Sequence, residues 1–292
     1  MTRQQKKTLK MALSYLVIVL IGCLLLFPIA WMISCAFKTN EEIFGSIALL
    51  PKSFSFQNFV DGWKSAGSYT YLTYFLNSFA LVVPTTVLTI ASSALVAYGF
   101  ARFEFPFKKQ LFALLIATLM LPNSVIIIPR YVLFNKFGWV DSYMPWWVPA
   151  ILACYPFFIY QLIQFMRSIP RDLDESAYID GCSTFRVFWQ ILLPLMKSSL
   201  FSAGLFQFLW TYNDYFNSLI FINSVKKYTV SLALRLSVDA ESVVVWGRVM
   251  AMACVAVLPL VLLFFAAQKY FIVITFLDPG YDFGMEFVAC RT

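Results

Sequence analysis

Six apolar stretches, each long enough to cross a bilayer, alternate with short charged segments, and that alternation leaves few folds open to this chain. They run from about Met11 to Phe37, Tyr71 to Phe100, Leu111 to Phe134, Val148 to Phe165, Leu195 to Phe221 and Trp246 to Ala267. A helix needs about 20 apolar residues to span the hydrocarbon core, and there every backbone N–H and C=O must be paired within the protein. The expected fold is an all-α integral membrane protein with six transmembrane helices. Composition agrees: 61% of the 292 residues are hydrophobic, 13% are charged, and the mean hydropathy is +0.75, outside the range of a soluble domain.

The basic residues give the orientation. Residues 1–10 carry Arg3, Lys6, Lys7 and Lys10 and no acid, which predicts a cytoplasmic N-terminus in a plasma membrane. The first apolar run is too long for a signal-peptide core and has no small-residue cleavage site, so it is retained as a span. Arg102, Lys108 and Lys109 outnumber Glu104 around Pro106 and mark an inside turn, whereas residues 136–147, with Trp139, Tyr143, Trp146 and Trp147, form an outer aromatic belt. The third run is interrupted by Pro122-Asn123 and Pro129-Arg130, read as packing kinks. The net charge of +7 comes from bases at the ends of apolar runs, as topology signals do, so nucleic acid is not an expected partner.

One stretch breaks the pattern. Between the fourth and fifth runs, residues 169–194 (IPRDLDESAYIDGCSTFRVFWQILLP) hold four acids and two arginines. Pro170 followed by Asp172, Asp174 and Glu175 predicts a helix start, with the carboxylates at the positive end of its dipole. Leu173, Ala177, Gly181 and Phe185 recur every four residues as one face, with the acids pointing elsewhere. Gly181 is the expected hinge, and a second helix follows from Ser183 or Thr184, with Phe185, Phe188, Trp189 and Leu192 on one side and Pro194 ending it. An amphipathic connector lying on lipid is one reading. Its acidic balance argues against an anionic leaflet and for a docking helix that fits a protein partner.

Glu175-Ser176-Ala177, three residues, Gly181, nine residues, then Ile191-Leu192-Leu193-Pro194 resembles the EAA loop, E-A-A-x3-G-x9-I-x-L-P, of the membrane subunits of binding-protein-dependent ABC importers. Ser176 stands where the family usually has Ala. Residues 168–173 and 50–59, and the stretch 227–234, are similar to the carbohydrate, maltose-type branch. The resemblance implies a type I importer permease fold, in which the insert is a coupling helix seated on a cytoplasmic ATPase. Glu175, Ser176, Ala177, Asp180, Gly181, Ile191, Leu193 and Pro194 are its coupling residues. It also implies a homologous permease subunit, an ATPase dimer carrying ATP and Mg, and an extracytoplasmic sugar-binding protein. Residues 1–37 are then the N-terminal tail and first span, 38–70 an extracytoplasmic loop, and 71–271 the importer transmembrane domain. Residues 272–292 form a tail in which the likeness stops.

Within the fifth run, Asp214 is an acid among apolar residues, which marks either a functional group facing a cavity or an acid capping near the outer interface. Tyr212-Asn213 with Phe216 is similar to an aromatic and amide element of the carbohydrate branch. Because aromatic faces and amides suit sugars, Tyr212, Asn213, Asp214, Phe216, Asn217 and Asn123 are the expected substrate path.

Other chemistries find little support. The chain has no histidine, no G-x-x-x-x-G-K-[ST] loop, no H-E-x-x-H and no G-x-S-x-G, so no hydrolytic site is expected and ATP hydrolysis is assigned to a partner. An ion-coupled secondary transporter would carry inverted repeats, and none is visible between the halves. Six cysteines (Cys23, Cys35, Cys154, Cys182, Cys254 and Cys290) show no paired spacing, which favours buried thiols over disulfides or metal ligands.

Overall fold

The computed structural model describes residues 3–64, 69–239 and 244–275, and it is all-helical. In chain order the helices are α1 (Arg3–Cys35), α2 (Asn40–Gly45), α3 (Gln57–Lys64), α4 (Tyr71–Arg102), α5 (Lys108–Leu119), α6 (Asn123–Lys136), α7 (Met144–Ile151), α8 (Pro156–Ser168), α9 (Asp172–Ile179), α10 (Thr184–Arg186), a π-helix (Val187–Leu192), α11 (Leu193–Leu195), α12 (Lys197–Tyr212), α13 (Tyr215–Phe221), α14 (Val230–Asp239) and α15 (Trp246–Thr275). Four continuous apolar helices or near-continuous runs could cross a membrane, and two bent pairs bring the total to six.

The third run bends where its prolines interrupt it, while the fourth and fifth, expected to be continuous, are each broken into two helices. The third run breaks at Met120–Pro122, where α5 and α6 meet at 103°. Pro122 causes the break because it supplies no N–H, while Pro129 sits inside α6 without interrupting it. The fourth run is α7 and α8, separated at Leu152–Tyr155, with Ala153 at a φ of +55°. The fifth starts at Lys197, two residues later than Leu195, and breaks at Asn213-Asp214.

The chain divides into two compact units. In the first (residues 1–73 and 233–259), Leu24, Leu25 and Leu26 of α1 are all exposed, a surface suited to lipid. The segment after α1 is tied down by polar side chains rather than being a plain loop. Asn58 Nδ2 donates to the Ala36 and Lys38 carbonyls (3.0 and 2.8 Å), Asn40 Nδ2 donates to the Val244 carbonyl (2.8 Å), and Arg248 pairs with Asp61 at 3.1 Å. Gly247 is required here, since a Cβ would lie 2.5 Å from Asn58 Nδ2 and 2.7 Å from the Lys38 carbonyl oxygen.

The second unit (residues 74–232 and 260–292) has two apolar clusters. One joins Leu81, Ile127, Phe134, Trp146, Phe221 and Ile222. The other joins the last turns of α4 to Phe158, Leu162, Ile163 and Met166 of α8 and to Ala177, Val187, Phe188 and Leu192 of the insert. The polar insert therefore shares a core with two spans. Four cysteines, Cys23, Cys35, Cys154 and Cys254, are free thiols, of which Cys23 and Cys154 are exposed rather than buried. Cys290 lies outside the described residues. Residues 276–292 of the expected tail lie outside the described residues.

Candidate functional site

The insert is two helical pieces joined by a Schellman turn. At the end of α9, Gly181 has a φ of +81°, its N–H reaches the Tyr178 carbonyl (3.1 Å), and the Cys182 N–H reaches the Ala177 carbonyl (2.9 Å). That pair of bonds satisfies the last carbonyls of the helix and needs a left-handed residue at this position. Ser183 then caps α10, its hydroxyl accepting from the Arg186 N–H at 3.4 Å. The hinge and the second start fall where the sequence predicts them.

Two local expectations change. Pro170 lies ahead of the helix rather than in its first turn, since α9 starts at Asp172 with Arg171 before it. Pro194 does not end the second helix. The chain runs on through Leu195, because the residues before it open into a π-helix in which the Leu193 N–H bonds the Phe188 carbonyl, five residues back.

The expected faces also rearrange. Ala177 is buried, but Gly181 and Phe185 are exposed; in the second helix Phe188 and Leu192 are buried while Phe185 and Trp189, stacked at 6.2 Å, face out. Not all acids point away: Asp174 is buried and its Oδ2 lies 2.7 Å from Arg102 Nε, with both side chains no more than 10% exposed. The contact is a charge pair rather than an aligned hydrogen bond, since neither Arg102 Nε nor Asp174 Oδ1 finds a hydrogen-bond partner. Burial pushes the Asp174 carboxyl above the ordinary range, and the nearby Arg102 and Arg171 charges only partly offset it. Further ties are Arg102 Nη2 to the Ile169 carbonyl (3.1 Å), Arg171 Nη2 to the Ala101 carbonyl (3.3 Å) and the Tyr98 hydroxyl to the Thr184 carbonyl (3.0 Å). The end of α4 thus holds both halves of the insert.

Of the expected coupling residues, Glu175, Ser176, Asp180, Gly181 and Pro194 are exposed, Ile191 and Leu193 are half-buried, and Ala177 is inside. Ser176 spends its hydroxyl on the Asp172 carbonyl (2.7 Å). Ile179, one turn beyond Glu175, is 87% exposed and completes an outward face of mixed chemistry. Ile179 was missed because an isoleucine beside a polar motif reads as core, and Arg102 because its partner lies seventy-two positions away.

A second polar cluster sits at the Asn213-Asp214 break. Asp214 caps α13: Oδ1 accepts from the Asn217 N–H (3.1 Å) and Asn217 Nδ2 (2.8 Å), and Oδ2 accepts from Trp146 Nε1 (3.2 Å) and Asn217 Nδ2 (2.9 Å). Arg130 of α6 donates in turn to Asn217 Oδ1 and lies over the Phe221 ring, 5.5 Å from its centroid. Asp214 and Asn217 are thus together, and both oxygens of Asp214 are engaged. Tyr212 is buried, stacked on Phe208 at 6.0 Å. Asn213 donates to the Leu209 carbonyl (2.9 Å), and Phe216 is half exposed. Asn123, exposed at the start of α6, has no bond to this cluster. Arg130 was legible by the rule that picked out Asp214, a charge within an apolar run. Among the described residues no group of three His, Cys, Asp or Glu side chains could hold a metal ion.

The described helices, with a polar helix–turn–helix built into their core, have the type I importer permease fold. The chain belongs to the family described as binding-protein-dependent transport system inner membrane component, whose model matches residues 90–272. It is 33% identical over 246 residues to the probable ABC transporter permease protein YurM of Bacillus subtilis (84% of this chain, 80% of that one). It is 28% identical over 268 residues to the trehalose/maltose transport system permease protein MalG of Thermococcus litoralis (92% and 96%). A bacterial ABC transporter involved in import of the acidic polysaccharide alginate contains a chain of the same fold, with a TM-score of 0.80 at 17% identity, covering 93% of this chain and 99% of that one.

Proposed function

We propose that this chain is one membrane subunit of an ATP-driven importer for a sugar or oligosaccharide, with residues 169–194 as its coupling helix. The observation that supports this most directly is the placement of the insert. Its exposed face carries Glu175, Ile179 and Asp180, while Ala177, Phe188 and Leu192 pack into the core shared by α4 and α8. A partner that moves the outer face must move those spans with it, because a packed core transmits displacement rather than absorbing it. In this reading the partner is an ATPase dimer that binds ATP and Mg, a homologous permease completes the path, and an extracytoplasmic binding protein delivers the sugar. The insert and the N-terminus then face the cytoplasm. Relatives named for trehalose/maltose, diacetylchitobiose and arabinooligosaccharides favour a carbohydrate cargo.

The exposed Asn213 and Phe216, beside the Asp214 and Asn217 cluster, supply the amide and aromatic groups with which this chain would line the path. The test is co-purification of the tagged chain from native membranes, with Gly181→Asp in parallel. An ATPase and a second permease should come down with the parent. The variant should insert and assemble yet fail to turn ATP hydrolysis into uptake; normal uptake by it would overturn the coupling assignment.

A further inference from the structure

A cavity of about 430 Å³ opens at the root of the insert, lined by Arg102, Glu104, Lys108, Arg167, Ser168 and Arg171 among others. Its walls come from the ends of two spans, α4 and α8, and from the turn before α5, so it lies where hydrocarbon gives way to water. Four cations converge on it. Two are neutralised within the chain: Arg102 by Asp174 at 2.7 Å and Lys108 by Glu104 at 2.9 Å. The other two have no carboxylate within ion-pair distance among the described residues. Arg167 rests over the Phe112 ring, 5.1 Å from its centroid, and Arg171 donates one N–H to the Ala101 carbonyl. A guanidinium engaged with a ring face or a single carbonyl keeps most of its five donors free.

Bases at the ends of spans ordinarily serve as scattered topology signals, each hydrated alone. Here they share one concavity with a surplus of two positive charges, and that geometry fits a phosphate group better than it fits water. We propose that this cavity binds the phosphate of an anionic phospholipid headgroup, held between Arg167 and Arg171 with Arg102 and Lys108 behind. Basic pockets between span ends at a membrane surface are suited to this chemistry. An inorganic phosphate would meet the same donors. A bound headgroup would brace the junction from which α9 departs.

The test uses the purified full-length chain in nanodiscs of phosphatidylcholine with and without phosphatidylglycerol, with retained lipid read by native mass spectrometry. The parent should retain phosphatidylglycerol over phosphatidylcholine. Arg167→Gln/Arg171→Gln should weaken that retention roughly tenfold or more, as expected for losing charge-assisted hydrogen bonds. Arg167→Lys/Arg171→Lys should keep much of it, and competition by inorganic phosphate on the parent reads the site without any variant. Phosphate binding without lipid preference would support the phosphate site and assign it a soluble source. Retention equal in parent and Gln variant, or no response to either phosphate source, overturns the proposal. So does loss of the lipid when the ATPase is added, since the cavity would then be a protein contact.

Discussion

Arg102, in the last turn of α4, holds Asp174 of α9 at 2.7 Å, and this charge pair ties the polar insert to a span. The two partners differ in what they can do alone. A carboxyl stranded by loss of Arg102 can take a proton, whereas a guanidinium stranded by loss of Asp174 cannot release one. Removing one member of a buried pair costs about 3–5 kcal/mol, and replacing both with apolar side chains is often neutral. Asp174→Leu should therefore destabilise the detergent-solubilised protein more than Arg102→Met, and the double variant should recover most of the loss. Thermal unfolding of the three variants checks the order; equal losses that add in the double variant would show that the pair does not couple.

The sign of the pH effect follows from the raised carboxyl. A folded-state pKa above the unfolded value, near 3.9, means that the folded state binds its proton more readily. Asp174 therefore opposes folding as pH rises through and beyond that window, and Arg102→Met should sharpen the trend. Stability of Arg102→Met should rise relative to the parent as pH is lowered toward 5, measured as the difference in melting temperature. A difference that stays constant with pH counts against a stranded, protonatable Asp174.

At Gly181, no atom lies within 4 Å of where a Cβ would sit, so substitution there costs backbone strain and not a clash. A left-handed residue costs roughly 1–2 kcal/mol for most side chains and less for Asn or Asp. Gly181→Val should lower stability more than Gly181→Asn, while both leave the buried face of the insert in place. Comparing their melting temperatures with their hydrolysis-to-uptake ratios separates the turn's geometry from the coupling role proposed for it.

Asp141 pins the turn before α7 to the stretch after α13. Its carboxylate accepts from the Ser224 hydroxyl (2.6 Å), the Ser224 and Asn223 N–H groups (2.8 and 3.0 Å) and Lys227 (3.0 Å). Burial alone would raise its pKa; the bonds from Ser224, Lys227 and Asn223 win, and hold it well below the usual range. Its contribution is present above about pH 4 and is lost only as pH falls below that. Asp141→Asn suits the left-handed backbone (φ +59°), removes the charge and turns one acceptor oxygen into a donor, so the bonds from the Ser224 hydroxyl and Lys227 are lost while those from the Ser224 and Asn223 N–H groups can remain. It should cost about 1 kcal/mol and leave a junction whose proteolysis at Lys226 or Lys227 no longer depends on acid.

Asp214→Asn should leave the α13 cap and sugar uptake largely intact, since an amide oxygen can still accept from the Asn217 N–H. Asp214→Leu should cost about 1 kcal/mol or more and strand the Trp146 and Asn217 donors. A changed transport KM in Asp214→Asn would mean that the carboxylate reaches substrate, contrary to its full complement of internal bonds.

The spans and the insert were legible because hydropathy and helix-start chemistry act within a few residues. So was the turn at Gly181. The breaks were legible only where proline forces them, as at Pro122; the one at Asn213-Asp214 depends on a cap and on Trp146, a residue from another helix. The burial of Asp174 was hidden for the same reason. Helical spacing gave its direction relative to its neighbours, but what lay opposite was Arg102, and nothing local announces a partner brought there by the packing of α4 against the insert.

The wide turn between Val187 and Leu192 gives chain length in the insert an angular meaning. Each residue of an α-helix advances the side chains by about 100°, and a π turn accommodates one residue more than the α-helical pitch would. The nine positions between Gly181 and Ile191 therefore act as a phase setting between the exposed face of α9 and the fifth span. Losing one of them would shorten the insert by little but would rotate Pro194 and α12 away from the core that Phe188 and Leu192 now share, as a gear does when it slips one tooth.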